Sequence, residues 1–209
     1  MSRAYWDRLY SLEPHQNPPN YDGWLDKYDA IWKRADNIID LGCGCGVNSV
    51  FLREQGIQTI ACDFSETALA RVRALLPGIQ TLCFDLSEGL PFDDGVLDLV
   101  IADLSLHYFT RDCTLRSLRD IRRALSPTGH LLCRVNSMRE FEQNEPKDEN
   151  TEIEPHLYES RKGLKRFFGR DDILTFFADW KDKQCFETIL YKYGAAKYVW
   201  ELCCPPNLT

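Results

Sequence analysis

No apolar run in this 209-residue chain approaches the roughly 20 residues that a membrane-crossing helix requires. The opening stretch, MSRAYWDRLYSLEPHQ, lacks the apolar segment of a secretory signal, so no leader is expected. The nine cysteines are an odd number and include no C-x-x-C pair, which argues against a disulfide framework or a zinc site. Cys43-Gly44-Cys45 has no histidine nearby, and no metal is expected there. Cys62, Cys83, Cys133, Cys185, Cys203 and Cys204 instead fall in or beside apparent strands, as packed, reduced thiols of a cytoplasmic protein do. An excess of basic charge is missing too. The net charge is −7 and the pI near 5.2, against a broad nucleic-acid surface. Two local basic groups remain: Arg116, Arg119, Arg122 and Arg123, read as a solvated helix face, and Arg161, Lys162, Lys165, Arg166 and Arg170. Repeats and low-complexity tracts are absent. At 44% hydrophobic residues, the chain is expected to be one globular domain with a sizeable core.

What is present is concentrated first in Asn37–Leu52, NIIDLGCGCGVNSVFL. The apolar run from Ile38 to Leu41 reads as a buried parallel strand. Gly42, Gly44 and Gly46 follow at once, and Val47, Val50 and Phe51 then set up a helical period. A strand that breaks on glycines into a helix offers backbone N–H groups and a helix N-terminus to a ligand. Glycines serve there because a Cβ would block close approach. The dinucleotide fingerprint G-x-G-x-x-G needs its third glycine at Val47, which disfavours a nicotinamide oxidoreductase.

The pattern Asp40-x-Gly42-x-Gly44-x-Gly46 resembles motif I of the class I S-adenosylmethionine (SAM) dependent methyltransferases. The resemblance implies that Gly42, Cys43, Gly44 and Gly46 pass under the methionine part of SAM, with Asp40 helping to hold its ammonium. Asp63, with Phe64 beside it, falls about 20 residues on, where nucleotide-binding α/β folds place a ribose acid. Asp85 and Leu86 match the family's adenine contacts, and Asp103 closes strand four at the ligand edge of the sheet. RRALSPTGHLLCRVN resembles the family's turn before strand five, with Thr128 in place of a glycine. The resemblance extends from about residue 38 to 204, and is nearest to small methyltransferases of the type 11 and tellurite-resistance kinds.

The fold expected is α/β: a Rossmann-like, mostly parallel seven-stranded sheet with an antiparallel terminal hairpin and helices on both faces. Within residues 1–209, residues 1–34 read as an N-terminal helical lid broken by Pro14, Pro18 and Pro19, 35–135 as the SAM-binding core, 136–169 as a polar substrate-side loop, and 170–209 as a helix and the hairpin about Gly194. The acceptor is expected to be a small molecule. Its candidate contacts are Trp6, Tyr10, Tyr21, Asn136 and Glu154, with Glu152, His156 and Tyr158 nearby. His107 and Tyr108, just past strand four, are the candidate catalytic residues, and a histidine titrating near pH 6.5 suits proton transfer. The bland reading of His107 is a packed, satisfied core histidine; that of the aromatic N-terminus is core cover. Methylation of RNA or protein, or non-catalytic SAM binding, are the rival functions. No sequence feature speaks to the oligomeric state.

Overall fold

The computed structural model describes residues 3–12, 20–146, 149–161, 163–191 and 196–205. The expected prolines and Gly194 lie outside them. The chain builds β1 (Ile38–Leu41), β2 (Ile60–Asp63), β3 (Gln80–Cys83), β4 (Leu97–Asp103) and β5 (Leu125–Asn136), then β6 (Thr151–Glu154), β7 (Leu157–Ser160) and β8 (Gly163–Arg166), and finally β9 (Gln184–Leu190) and β10 (Lys197–Cys204). Seven strands form one sheet in the order β3-β2-β1-β4-β5-β10-β9. Pairings from β3 to β5 are parallel, and β10 runs antiparallel to both β5 and β9. The strand order reverses between β1 and β4, so the sheet's carboxyl edge opens there for a ligand.

Helices fill both faces. They are α1 (Arg3–Leu12), α2 (Asp29–Trp32), α3 (Val47–Glu54), α4 (Glu66–Leu75), α5 (Arg111–Ala124), α6 (Met138–Asn144) and α7 (Arg170–Phe176). Side chains alternate across β4 and both faces are covered, which is why its run Leu99–Ala102 is apolar throughout. Val100 and Ala102 join Leu118 and Ile121 of α5 and Ile173 and Phe176 of α7. Leu99 and Ile101 face the other way, onto Trp24, Leu25, Trp32 and Leu52. Ser65 and Thr110 cap α4 and α5 by accepting from Ala68 N and Cys113 N. No helix among the described residues is long and apolar enough to cross a membrane.

One region differs from expectation. The stretch after β5 is not a continuous loop: it holds α6 and a separate antiparallel sheet, β6-β7-β8. The strands are four residues each and β6 is largely exposed, so they carry no apolar alternation to read. Strand five also begins earlier than the expected His130. Leu125 pairs with Leu97 and His130 with Leu99, so Ser126–Gly129 bulge out of the ladder.

Candidate cofactor and acceptor site

At the end of β1 the backbone turns sharply. Gly42 N and Cys43 N both donate to Cys62 O, at 2.8 and 2.9 Å. Gly42, Gly44 and Gly46 have φ of 71°, 50° and 79°, which L side chains rarely adopt. Each also faces a different neighbour. A Cβ on Gly42 would overlap the Ser105 side chain, one on Gly46 would lie 2.9 Å from Val72 Cγ2, and one on Gly44 would lie 3.0 Å from the Tyr10 hydroxyl. The loop is thus a cradle enclosed by the segment after β4, by α4 and by α1.

Asp63, at the tip of β2, braces the cradle. Its Oδ2 accepts from Gly44 N and its Oδ1 from Ser65 N, both at 2.9 Å. Burial pushes its pKa up, while hydrogen bonds from the Ser65, Gly44 and Phe64 N–H groups work the other way. Each oxygen retains acceptor capacity. Asp40 takes no part in this brace. It is 1% exposed and lies behind the loop. Its Oδ2 takes the Ser49 N–H and hydroxyl, at 3.1 and 2.7 Å, and its Oδ1 takes Asn48 Nδ2. Asn48 in turn accepts from the Trp24 indole. Asp40 therefore ties α3 to β1, and burial raises its pKa to about 6. Cys43 is also buried, and burial holds its thiol well above the ordinary range.

Asp103 is likewise committed elsewhere. Both of its oxygens receive Arg134, from Nε at 2.7 Å and Nη2 at 2.8 Å, while Nη1 reaches Asp22 at 2.7 Å. The Arg134 guanidinium lies 4.5 Å from the centre of the Trp24 ring. Burial opposes its charge, and Asp103 and Asp22 more than restore it. Asp85 caps the 3-10 turn Leu86–Glu88 through the Ser87 N–H and hydroxyl, with Leu86 buried beside it. Phe64 lies under the Arg3 guanidinium, 5.9 Å away.

Helix α1 crosses this edge. Tyr10 rests on Gly44, Asp7 accepts from the Ser65 hydroxyl, and Trp6 stacks on Tyr10 and meets Tyr108 edge-on at 5.4 Å. Burial, then Asp63, holds the Tyr10 phenol neutral. Trp6 and Tyr10 therefore stand where the cofactor loop and the segment after β4 meet. Tyr21 does not. It stacks on Phe51 of α3 at 4.1 Å and bonds Asp26 and Leu25 N, so its ring belongs to the core. Glu154 pairs with Arg166 and accepts from Arg111 N, both through Oε2. Glu152 accepts from His156 N, His156 pairs with Asp172, and Tyr158 stacks on Phe141.

Beyond β4, Leu104 takes a φ of 56°, a strained value for a leucine. The turn it makes brings Ser105 against Gly42 and carries His107 inward. His107 and Asn136 are both 0% exposed. Neither ring nitrogen of His107 and neither amide atom of Asn136 has a hydrogen-bond partner among the described residues. Their backbones are pinned: His107 O accepts Arg166 N at 2.7 Å, and Asn136 O accepts Phe168 N at 2.8 Å. Burial, followed by Lys197 and Lys165, holds His107 well below its ordinary pKa. Lys197 was not legible from the sequence, since it opens β10 outside any motif.

The glycine cradle, the brace at the tip of β2 and strands β1 to β4 all fall within one stretch of the chain that has known relatives. Residues 38–129 match the family model described as a methyltransferase domain. A putative methyltransferase of Bacillus subtilis, YqeM, is 31% identical over 138 residues, covering 64% of this chain and 53% of that protein. The chain spans about half the length of the curated relatives it matches. Among solved structures, a SAM-dependent methyltransferase from Methanosarcina mazei superposes with a TM-score of 0.68 at 14% identity, covering 88% of this chain and 98% of that one. The 1,6-didemethyltoxoflavin-N1-methyltransferase of Burkholderia thailandensis, with bound 1,6-didemethyltoxoflavin and S-adenosylhomocysteine, gives 0.65 at 16% identity, covering 98% and 84%. At these identities the likeness of the structures is one of fold.

Proposed function

We propose that this protein transfers the methyl group of SAM to a small acceptor. The observation that carries the reading is the pairing, on one sheet edge, of a glycine cradle with a buried histidine and asparagine whose side-chain polar atoms have no hydrogen-bond partner among the described residues. The residues present fit the cofactor. The three loop glycines hold backbone angles that L side chains rarely adopt and let the loop pack closely on its neighbours, and Asp63 stands beside it with acceptor capacity to spare. The Gly42–Gly46 loop would hold the methionine end, Asp63 the ribose hydroxyls, and Leu86 with Asp85 the adenine. SAM, when bound, supplies a sulfonium methyl open to in-line displacement.

The chain's own part is alignment and exclusion of water. Trp6, Tyr10 and Tyr108 wall the cleft with rings. His107, kept neutral by burial, can accept a hydrogen bond or a proton from the acceptor's nucleophile at either ring nitrogen. Asn136 offers one acceptor and two donors to orient the rest of it. The acidic balance and the enclosure of His107 and Asn136 favour a small acceptor over a nucleic acid. A structural neighbour bound to a small heterocyclic acceptor is in keeping with this.

Calorimetric titration with S-adenosylhomocysteine tests the reading. Asp63→Ala should weaken binding by about 1–3 kcal/mol, as loss of hydrogen bonds to a charged group does. A chain that does not bind the ligand, or an Asp63→Ala variant with unchanged affinity, refutes the assignment. Screening small thiols, phenols and amines for S-adenosylhomocysteine release then separates a transferase from a SAM-binding regulator.

A further inference from the structure

Two non-glycine residues among those described hold a positive φ, Leu104 and His156. Leu104 stands at a junction. Asp103, just before it, ends β4 opposite Arg134 of β5. Ser105, just after it, lies where a Cβ on Gly42 would overlap it, and its hydroxyl donates to Leu41 O at 2.8 Å. The turn made by Leu104 therefore sets how closely the segment after β4 rests on the first glycine of the cradle. Left-handed backbone is unfavourable for leucine, and such a conformation persists only where its surroundings over-determine it.

Arg134 grips that turn twice. Its carbonyl accepts Leu104 N at 2.9 Å, and its guanidinium holds both carboxylate oxygens of Asp103 in a fork, from Nε at 2.7 Å and Nη2 at 2.8 Å. A fork fixes the plane of the carboxylate, as a single ammonium contact would not. The guanidinium is itself held. Nη1 reaches Asp22 at 2.7 Å, and the centre of the Trp24 ring lies 4.5 Å from its carbon. Trp24 in turn donates to Asn48 in the first turn of α3, and Asn48 donates to Asp40. The Arg134 side chain is 1% exposed, so the fork is shielded from solvent. The far end of the same segment is fixed separately, by Arg166 N on His107 O.

Resting on the cofactor reading above, we infer that Arg134 is a positioning residue for SAM: its fork on Asp103 keeps Leu104 in the left-handed turn and so keeps Ser105 seated against Gly42. Arg134 acts through the turn and not by touching the cofactor. When the fork is lost, leucine relaxes toward negative φ, Ser105 withdraws from Gly42 and the cradle loosens. A glycine at position 104 has no such preference, so the cradle then depends far less on the fork.

The test is a double-mutant cycle read by calorimetric titration with S-adenosylhomocysteine, each variant first shown to be folded by circular dichroism. Arg134→Lys keeps a charge between Asp103 and Asp22 and gives up the fork. It should weaken binding about tenfold in the parent, the order of one hydrogen bond to a charged group, and about twofold or less in a Leu104→Gly background. A role in stability alone would leave affinity unchanged, or give the same loss in both backgrounds. Asp103→Asn breaks the fork from the other side and should show the same dependence on residue 104, which keeps the inference testable if Arg134→Lys does not fold. An affinity that Arg134→Lys leaves unchanged, or a loss that Leu104→Gly does not reduce, overturns the inference. A parent protein that binds no S-adenosylhomocysteine refutes the cofactor reading instead, whereas binding without coupling between positions 104 and 134 refutes only the role of Arg134.

Discussion

Replacing Asn136 by leucine should make the protein more stable and less able to bind its acceptor. The side chain is 0% exposed, and its amide oxygen and nitrogen have no partner among the described residues. Each such group carries a desolvation penalty of about 1–3 kcal/mol that leucine does not incur. The branched shape of leucine returns up to about 1.5 kcal/mol of that gain through imperfect packing. The backbone contacts do not depend on the side chain: Asn136 O keeps Phe168 N, and the pairing with Val199 on β10 is unchanged. The expected net gain is about 1–3 kcal/mol, which for a chain of this length raises the melting midpoint by roughly 2–4 °C per kcal/mol. Urea unfolding followed by far-UV circular dichroism should show a higher midpoint at an unchanged slope. A variant less stable than the parent would show that the amide is satisfied in the folded protein, and the idea of a site held open for a ligand would fail with it.

Arg134→Met should be costly for the opposite reason. It leaves Asp103 and Asp22 without the guanidinium that both bind, and loss of one member of a buried ion pair costs about 3–5 kcal/mol; a loss under about 1 kcal/mol in urea unfolding contradicts the geometry. His107 should show no titration between pH 6 and 8 in its NMR ring-proton shifts, because burial and the two lysines keep its folded pKa well below 6.5. The folded state then binds fewer protons than the unfolded chain below that value, so this residue's contribution to stability is present above about pH 6.5 and is lost as the pH falls. His107→Gln should therefore flatten the acid limb of the stability curve, and an unchanged limb counts against a neutral buried imidazole.

What could be read in advance follows from how local each signal is. Gly42, Gly44 and Gly46 announce their backbone geometry in the chain itself, and Ser65 and Thr110 announce the helices they cap. Strands β1 and β4 announce themselves by apolar runs because both faces of the sheet are covered there. Strands β6 to β8 are short, and β6 is largely exposed, so their pairing is not written in hydrophobic alternation. Partnership across long stretches of chain is equally silent. Nothing near Arg134 in LLCRVN names Asp22, which lies 112 positions earlier. Trp6 and Tyr21 look alike as N-terminal aromatics, yet one meets Tyr108 at the cleft and the other stacks on Phe51 in the core. Asp40 and Asp63 both end strands beside the glycines, and only the direction of their donors separates the brace of the cradle from the anchor behind it.

The excursion between β5 and α7 leaves and rejoins the main sheet at a pinned neck, where Phe168 N meets Asn136 O and Met138 N meets Phe168 O, and α6 is fastened to the same edge through Glu140 on Tyr198 N and Asn144 on Ala196 O. Chain lying beyond such a neck closes a loop whose entropy changes only slowly with its length. Changes in the length of the β6-β7-β8 sheet therefore cost little closure entropy, whereas α6 is held in place by Glu140 on Tyr198 N. The surroundings of His107 can then be altered through β8, whose Arg166 N meets His107 O, without touching the Gly42–Gly46 loop.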